Sequence, residues 1–149
     1  MDAVLLGAHN LLRWAVLLAA AFALLRAYRG WLGRRAWERA DRAAGLLFGV
    51  SLDVQVLLGV VLYLFVSPIT RGALGDLAGA FQSAGLRFFL FDHVIGMLVA
   101  LALVHIGSAR ARRAAGAQAH RQAALFYTPA ALAVLITIPW ERALLPGLG

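Results

Sequence analysis

The stretch GLLFGVSLDVQVLLGVVLYLFV, residues 45–66, decides the fold. A helix needs ~20 apolar residues to cross the hydrocarbon of a bilayer, and this segment supplies them with a single charged residue, Asp53, and a single amide, Gln55. Its apolar residues do not alternate with polar ones, so it does not read as a half-buried strand. Backbone groups in lipid must be satisfied inside a helix or a closed barrel, and no part of the chain carries the alternation a barrel needs. The reading is all-α.

Three further stretches have the same character, residues 4–27, 88–109 and 122–140. Four spans with short links predict one integral-membrane domain over residues 1–149, an up-down-up-down four-helix bundle. Composition agrees: 62% of the 149 residues are hydrophobic and 14% charged, with a mean hydropathy of +0.81. That excludes a water-soluble globule. The absence of Cys removes disulfides, thiolate metal sites, thiol catalysis and covalently attached haem together.

The net charge of +7 comes from fourteen Arg and no Lys, and their positions argue for topology rather than for nucleic acid. Arg26, Arg29, Arg34, Arg35, Arg39 and Arg42 flank the first connection, and Arg110, Arg112, Arg113 and Arg121 flank the third; Arg71, Arg87 and Arg142 lie on the opposite side. Ten against three places the Arg-rich side in the cytoplasm and both termini outside, in a multi-pass protein of a bacterial cytoplasmic (inner) membrane. Trp31 and Trp37 then mark the inner interface and Trp140 the outer one. The first span begins with Asp2 rather than a basic region and continues through Leu24 and Leu25 into Arg, which reads as a retained anchor rather than a cleaved leader. The connection 67–87 carries Leu74, Leu77, Ala78 and Phe81 at helical spacing among glycines; a surface helix and a flexible loop both fit.

Ionisable residues inside spans are costly and mark pairing or function. The first span holds His9, Asn10 and Arg13, the second Asp53 and Gln55, the third Asp92, His93 and His105. Counting 1.5 Å per residue from the cytoplasmic ends puts His9 at ~27 Å and His93 at ~24 Å, nearly one height. Spans one and three are diagonal in such a bundle, with axes roughly 11–14 Å apart. Two imidazoles across that gap suit a flat metal macrocycle, with haem b as the cofactor. Gly96 and Ala100 lie on the His93 face and leave room for a ring, Met97 adds soft packing, and Arg13 and Arg87 are placed to pair haem propionates. Two interfacial histidines bonded to neighbours would fit the same positions. A second haem at His105 does not fit, because twelve residues turn it ~120° from His93.

Asp53, Gln55 and His105 form a second constellation. Gly45, Gly49 and Asp53 share a face at spacing four, which predicts a packed face and a carboxyl group inside the bundle. A proton path, a quinone head-group site and a buried structural Asp are all compatible with these residues. His120, in the third connection, is expected in solvent or reaching His105.

The segments His9-Asn10-Leu11-Leu12-Arg13-Trp14, Asp53-Val54-Gln55-Val56-Leu57-Leu58-Gly59, Leu62-Tyr63, Arg87-Phe88-Phe89, Asp92-His93, Met97 and Ile138-Pro139-Trp140 resemble small four-helix bacterial membrane proteins of the cytochrome b-like kind. The resemblance implies a membrane b-type haem protein and carries the ligand role to His9 and His93. The second span offers Asp53 and the fourth no His, so one haem is implied rather than a stacked pair. The expected function is electron transfer between a quinol or partner redox protein and an acceptor outside. The alternatives are an accessory subunit of a larger membrane complex and a proton-coupled small-molecule carrier using Asp53. No nucleophile, base and oxyanion donor converge in a motif for hydrolysis.

Overall fold

The computed structural model describes residues 2–140, and every regular element among them is helical. Helix α1 covers Asp2–Leu32 and α2 covers Arg39–Val61, which runs on as one wide π turn, Leu62–Val66. Three short helices follow, α3 at Pro68–Gly75, α4 at Leu77–Gln82 and α5 at Ala84–Arg87. A second π turn, Phe88–Asp92, leads into α6 at His93–Arg112, and α7 spans Gly116–Thr137. Arg142 lies outside the described residues.

Three helical stretches are long and apolar enough to cross a membrane, Ala3–Leu32, Arg39–Val66 and Ala84–Arg112. Helix α7 is not among them, because His120, Arg121 and Gln122 fall within its length. Bulky aliphatic residues cover the outer faces, among them Leu18, Leu46, Leu57 and Ile136. The helices extend past the apolar runs, so Arg26, Arg29, Arg39 and Arg42 sit on helical turns rather than in the connection. Arg is a good helix former, and its long stem lets the charge leave an apolar surface.

Helix α1 packs on α2 and α7, and α6 packs on α7 and α2, leaving α1 and α6 opposite each other. The core is built from small residues that let backbones approach: Ala19, Ala20 and Ala23 on α1, and Ala123, Ala124 and Ala130 on α7. Glycines set the closest seams. A methyl group at Gly96 would overlap Thr137, and one at Gly107 would press on Phe126 and Tyr127. Gly96 therefore admits α7 rather than a cofactor ring. Gly45 receives the Tyr127 hydroxyl, which also bonds Ser108 Oγ at 2.8 Å.

The connection after α2 is folded into short helices because each start has a side-chain cap. Ser67 Oγ accepts from Thr70 N, Asp76 Oδ1 from Gly79 N, and Ser83 Oγ from Leu86 N. Thr70 also donates to the main-chain oxygen of Tyr63 at 2.8 Å, tying this cap region to the π turn. Phe81 stacks on Phe91 with ring centres 4.5 Å apart.

At the opposite end His120 is 2% exposed, not solvated. Its ring fills the space over Gly30, meets Trp37 edge to face, and donates from Nε2 to the Ala36 oxygen at 3.1 Å. Beside it Asp41 accepts from Arg26 Nε at 2.7 Å and from Glu38 N at 2.8 Å. The hydrophilic connection is thus pinned to α7 by a buried polar cluster that residue spacing along one helix could not reveal.

Candidate functional site

His9 projects from α1 and His93 from the first position of α6, on opposite sides of the helix ring. Their ring centres stand 6.3 Å apart with planes inclined by 72°. The residue count along two separate helices thus corresponds to a real meeting of side chains. Gly59 on α2 makes the room, since a methyl group there would press on His9 Cε1.

Each imidazole is held from behind. Helix α7 stops at Thr137, where Ile138 turns extended ahead of Pro139; the missing Pro139 N–H leaves the Leu135 oxygen to Trp140 Nε1, and with no further helical turn the Thr137 oxygen is left without a helical partner. The freed Thr137 oxygen accepts from His93 Nδ1 at 2.7 Å. With the proton on Nδ1, the Nε2 lone pair of His93 remains available, the arrangement that orients histidine ligands in metal sites. The Gln55 amide nitrogen donates to the His9 main-chain oxygen and to His9 Nε2, both at 3.1 Å. His9 Nδ1 and Gln55 Oε1 are buried without a hydrogen-bond partner. Buried polar atoms are nearly always satisfied, so this pair marks a place where a further group belongs.

A cavity of about 900 Å³ opens beside the two rings. Asn10, Arg13, Gln55 and Tyr63 contribute polar atoms, and Val56, Met97 and Val134 represent its mainly apolar wall. Both π turns contribute lining residues. Such turns concentrate at functional sites because the wider coil redirects side chains. A concave, largely apolar volume with a few convergent polar groups is the usual form of a cofactor or small-molecule site.

The ring spacing can be compared with metal ligation. Two imidazoles on opposite sides of one ion, with metal–nitrogen bonds of ~2.0–2.1 Å and about 1 Å more to each ring centre, have centres roughly 6 Å apart. The observed 6.3 Å lies in that range, with the Cε1–Nδ1 edge of His9 turned to Gly59. His93 meets the donor requirement through Nε2. His9 offers Nδ1, its Nε2 being held by Gln55, so ligation there would require that proton to shift to Nε2 and the Gln55 amide to turn its oxygen, Oε1, to accept it.

Other expected site residues are distributed differently. Arg13 and Met97 are buried and line the cavity. Arg87 does not line it; this residue pairs with Asp92 at 3.7 Å, both half-exposed. Asp92 therefore engages an arginine. Gln55 belongs with His9, not with Asp53, because residues two apart on a helix point ~160° away from each other. The Asp53 carboxyl is not inside the bundle: it bonds His105 Nε2 at 2.8 Å on the outer side of the α2–α6 seam, with the two side chains 44% and 55% exposed. Gly49 does sit against α6, under Val104 and His105, but one turn later the face has rotated outward.

The contributions of Thr137, Gly59 and the π turns are not predicted by residue spacing. Ile138-Pro139 signals the helix stop that frees the Thr137 oxygen, yet only packing aims it at His93. A scan against known protein families and searches of curated proteins and solved structures found no match.

Proposed function

We propose that this chain is a b-type haem membrane protein for electron transfer, with His9 and His93 as the axial ligands of one haem. The observation that carries the reading is the 6.3 Å separation of two adjacent imidazoles, inclined by 72°, beside a cavity of about 900 Å³. Among the described residues no three His, Cys, Asp or Glu gather around a common point. Two imidazoles alone suit a metal that brings its own equatorial donors, as haem iron does.

The haem would supply one-electron chemistry, and the protein would supply orientation, dielectric and access. Thr137 holds the His93 ring and its tautomer; Gln55 holds His9; Gly59 and Met97 shape the wall. Arg13 places positive charge at the cavity, where it would favour the carboxylates of a bound haem. In this reading the four long helices form an up-down-up-down transmembrane bundle. Its Arg-rich connections lie in the cytoplasm and the histidine site near the outer face of a bacterial inner membrane. A quinol or a redox partner protein is the expected electron source. The carrier alternative is supported less well, because Asp53 and His105 lie on the outside of the helix ring and not in the cavity.

The test is a reduced-minus-oxidised absorption spectrum of detergent-purified protein from haem-replete cells, with extracted haem counted per chain. One equivalent of b-type haem, lost in both His9→Ala and His93→Ala, is the expected result. Colourless protein would overturn the reading and leave an accessory subunit of a larger membrane complex in its place.

A further inference from the structure

The Asp53–His105 pair lies outside the site described above and has no role in it. His105 Nε2 donates to Asp53 Oδ1 at 2.8 Å, and among the described residues neither His105 Nδ1 nor Asp53 Oδ2 has a hydrogen-bond partner. The side chains are 55% and 44% exposed, and the same two helices also expose apolar residues, Val50 and Leu57 within one turn of Asp53 on α2 and Leu98 two turns from His105 on α6. His105 is five residues before Arg110, ~8 Å along the helix on the apolar side of that arginine.

On the transmembrane reading proposed above, on which this inference rests, half of a polar pair then faces hydrocarbon. Unsatisfied polar atoms there are expensive, and polar side chains in spans normally face protein. The pair is also chemically self-complementary. With one proton per pair beyond the Nε2–H, residing on His105 Nδ1 or on Asp53 Oδ2, each pair presents one donor and one acceptor at its outer edge. A two-fold axis along the membrane normal keeps both pairs at one height. Nδ1 of each copy can then meet Oδ2 of the other, closing a four-membered ring of hydrogen bonds. Either position of that proton satisfies every atom of the ring and leaves it without net charge.

We propose that a second copy of this chain covers the α2–α6 seam, joined through reciprocal Asp53–His105 hydrogen bonds about a two-fold axis. Such isologous contacts are the commonest route to a closed dimer, and interhelical hydrogen bonds between polar side chains supply cohesion where the hydrophobic effect does not. Leu57 and Val50 of each copy would flank the ring.

Disulfide trapping in intact membranes tests this, because the chain has no Cys of its own. Membranes are first washed with alkaline carbonate. Leu57→Cys, 64% exposed and one turn from Asp53, is expected to crosslink to a species of twice the chain mass; Leu18→Cys, 71% exposed on α1, is not. Adding Asp53→Leu should lower the Leu57→Cys crosslink by roughly tenfold, and the exchange of Asp53→His with His105→Asp should restore it. Counting copies of wild-type protein per lipid nanodisc should give two. A Leu57→Cys yield no higher than that of Leu18→Cys, single copies in nanodiscs, or a crosslink to a protein of different mass overturns the proposal. Release by carbonate overturns the transmembrane reading and this proposal with it, whereas pelleted but monomeric protein overturns this proposal alone.

Discussion

His93 Nδ1 donates to the main-chain oxygen of Thr137 at 2.7 Å, so the end of α7 fixes the ring that opens α6. The contact depends on Gly96, one turn along α6, whose missing side chain is what allows Thr137 to sit so close. A helix terminus, a glycine and a histidine thus form one mechanical unit behind the proposed ligand.

Gly96→Val should separate α7 from α6 at this point. Overpacking of this kind costs ~1–3 kcal/mol, and the expected outcome is a lower thermal midpoint in detergent together with a weakened or altered haem absorption. A variant with the lower midpoint and an unchanged spectrum would show that the Thr137 contact is not needed for the site.

Gln55→Leu should spare the fold and impair the site. It removes both hydrogen bonds to His9 while keeping a side chain of similar size. Loss of a residue that orients a ligand typically lowers metal affinity by ~10–100-fold. Haem titration of the apoprotein should show that drop, with the circular-dichroism helix signal retained.

Asp41→Ala should destabilise strongly at the other end of the molecule. Asp41 is 4% exposed and holds Arg26 at 2.7 Å, the Glu38 amide at 2.8 Å and His120 Nε2 at 3.7 Å. Arg26 is 30% exposed and keeps Glu38 at 4.0 Å, so the expected loss is about 1.5–3 kcal/mol, that of a charge-assisted hydrogen bond, rather than that of a fully buried ion pair. Thermal unfolding followed by circular dichroism measures it, and the haem spectrum of the protein that remains folded should be unchanged because the cluster lies away from the histidine pair.

Tyr127→Phe removes a hydroxyl that bonds Ser108 and lies against Gly45. The expected loss is about 1 kcal/mol, that of one buried hydrogen bond. An unchanged midpoint in urea or heat would show that Ser108 finds another partner at no cost.

Several features of the site are legible in the sequence. His9 and His93 can be set at one height because helical rise is fixed and their spans have clear ends. Arg13 and Met97 follow them on the same faces by helical spacing. The side of the bundle to which Asp53 turns is not legible. Its glycine-spaced face does pack at Gly45 and Gly49, but the contact surface rotates outward along α2, and a four-residue repeat does not contain that rotation. Likewise Gly96 reads equally well as room for a ring and as room for a helix; only the position of Thr137 distinguishes them.

By itself, the sequence determined the all-helical character, three of the four expected apolar spans and the two Arg-rich connections, since each depends on local composition and on a periodicity the backbone imposes everywhere. The tertiary structure alone decided which polar groups share a site. It joined Gln55 to His9, Thr137 to His93 and His120 to Asp41, and set Asp53 with His105 outside the ring of helices. Those pairings depend on how each helix is rotated and how closely glycines and alanines let it approach its neighbours. No single segment encodes such a relation, because it is a property of two surfaces in contact.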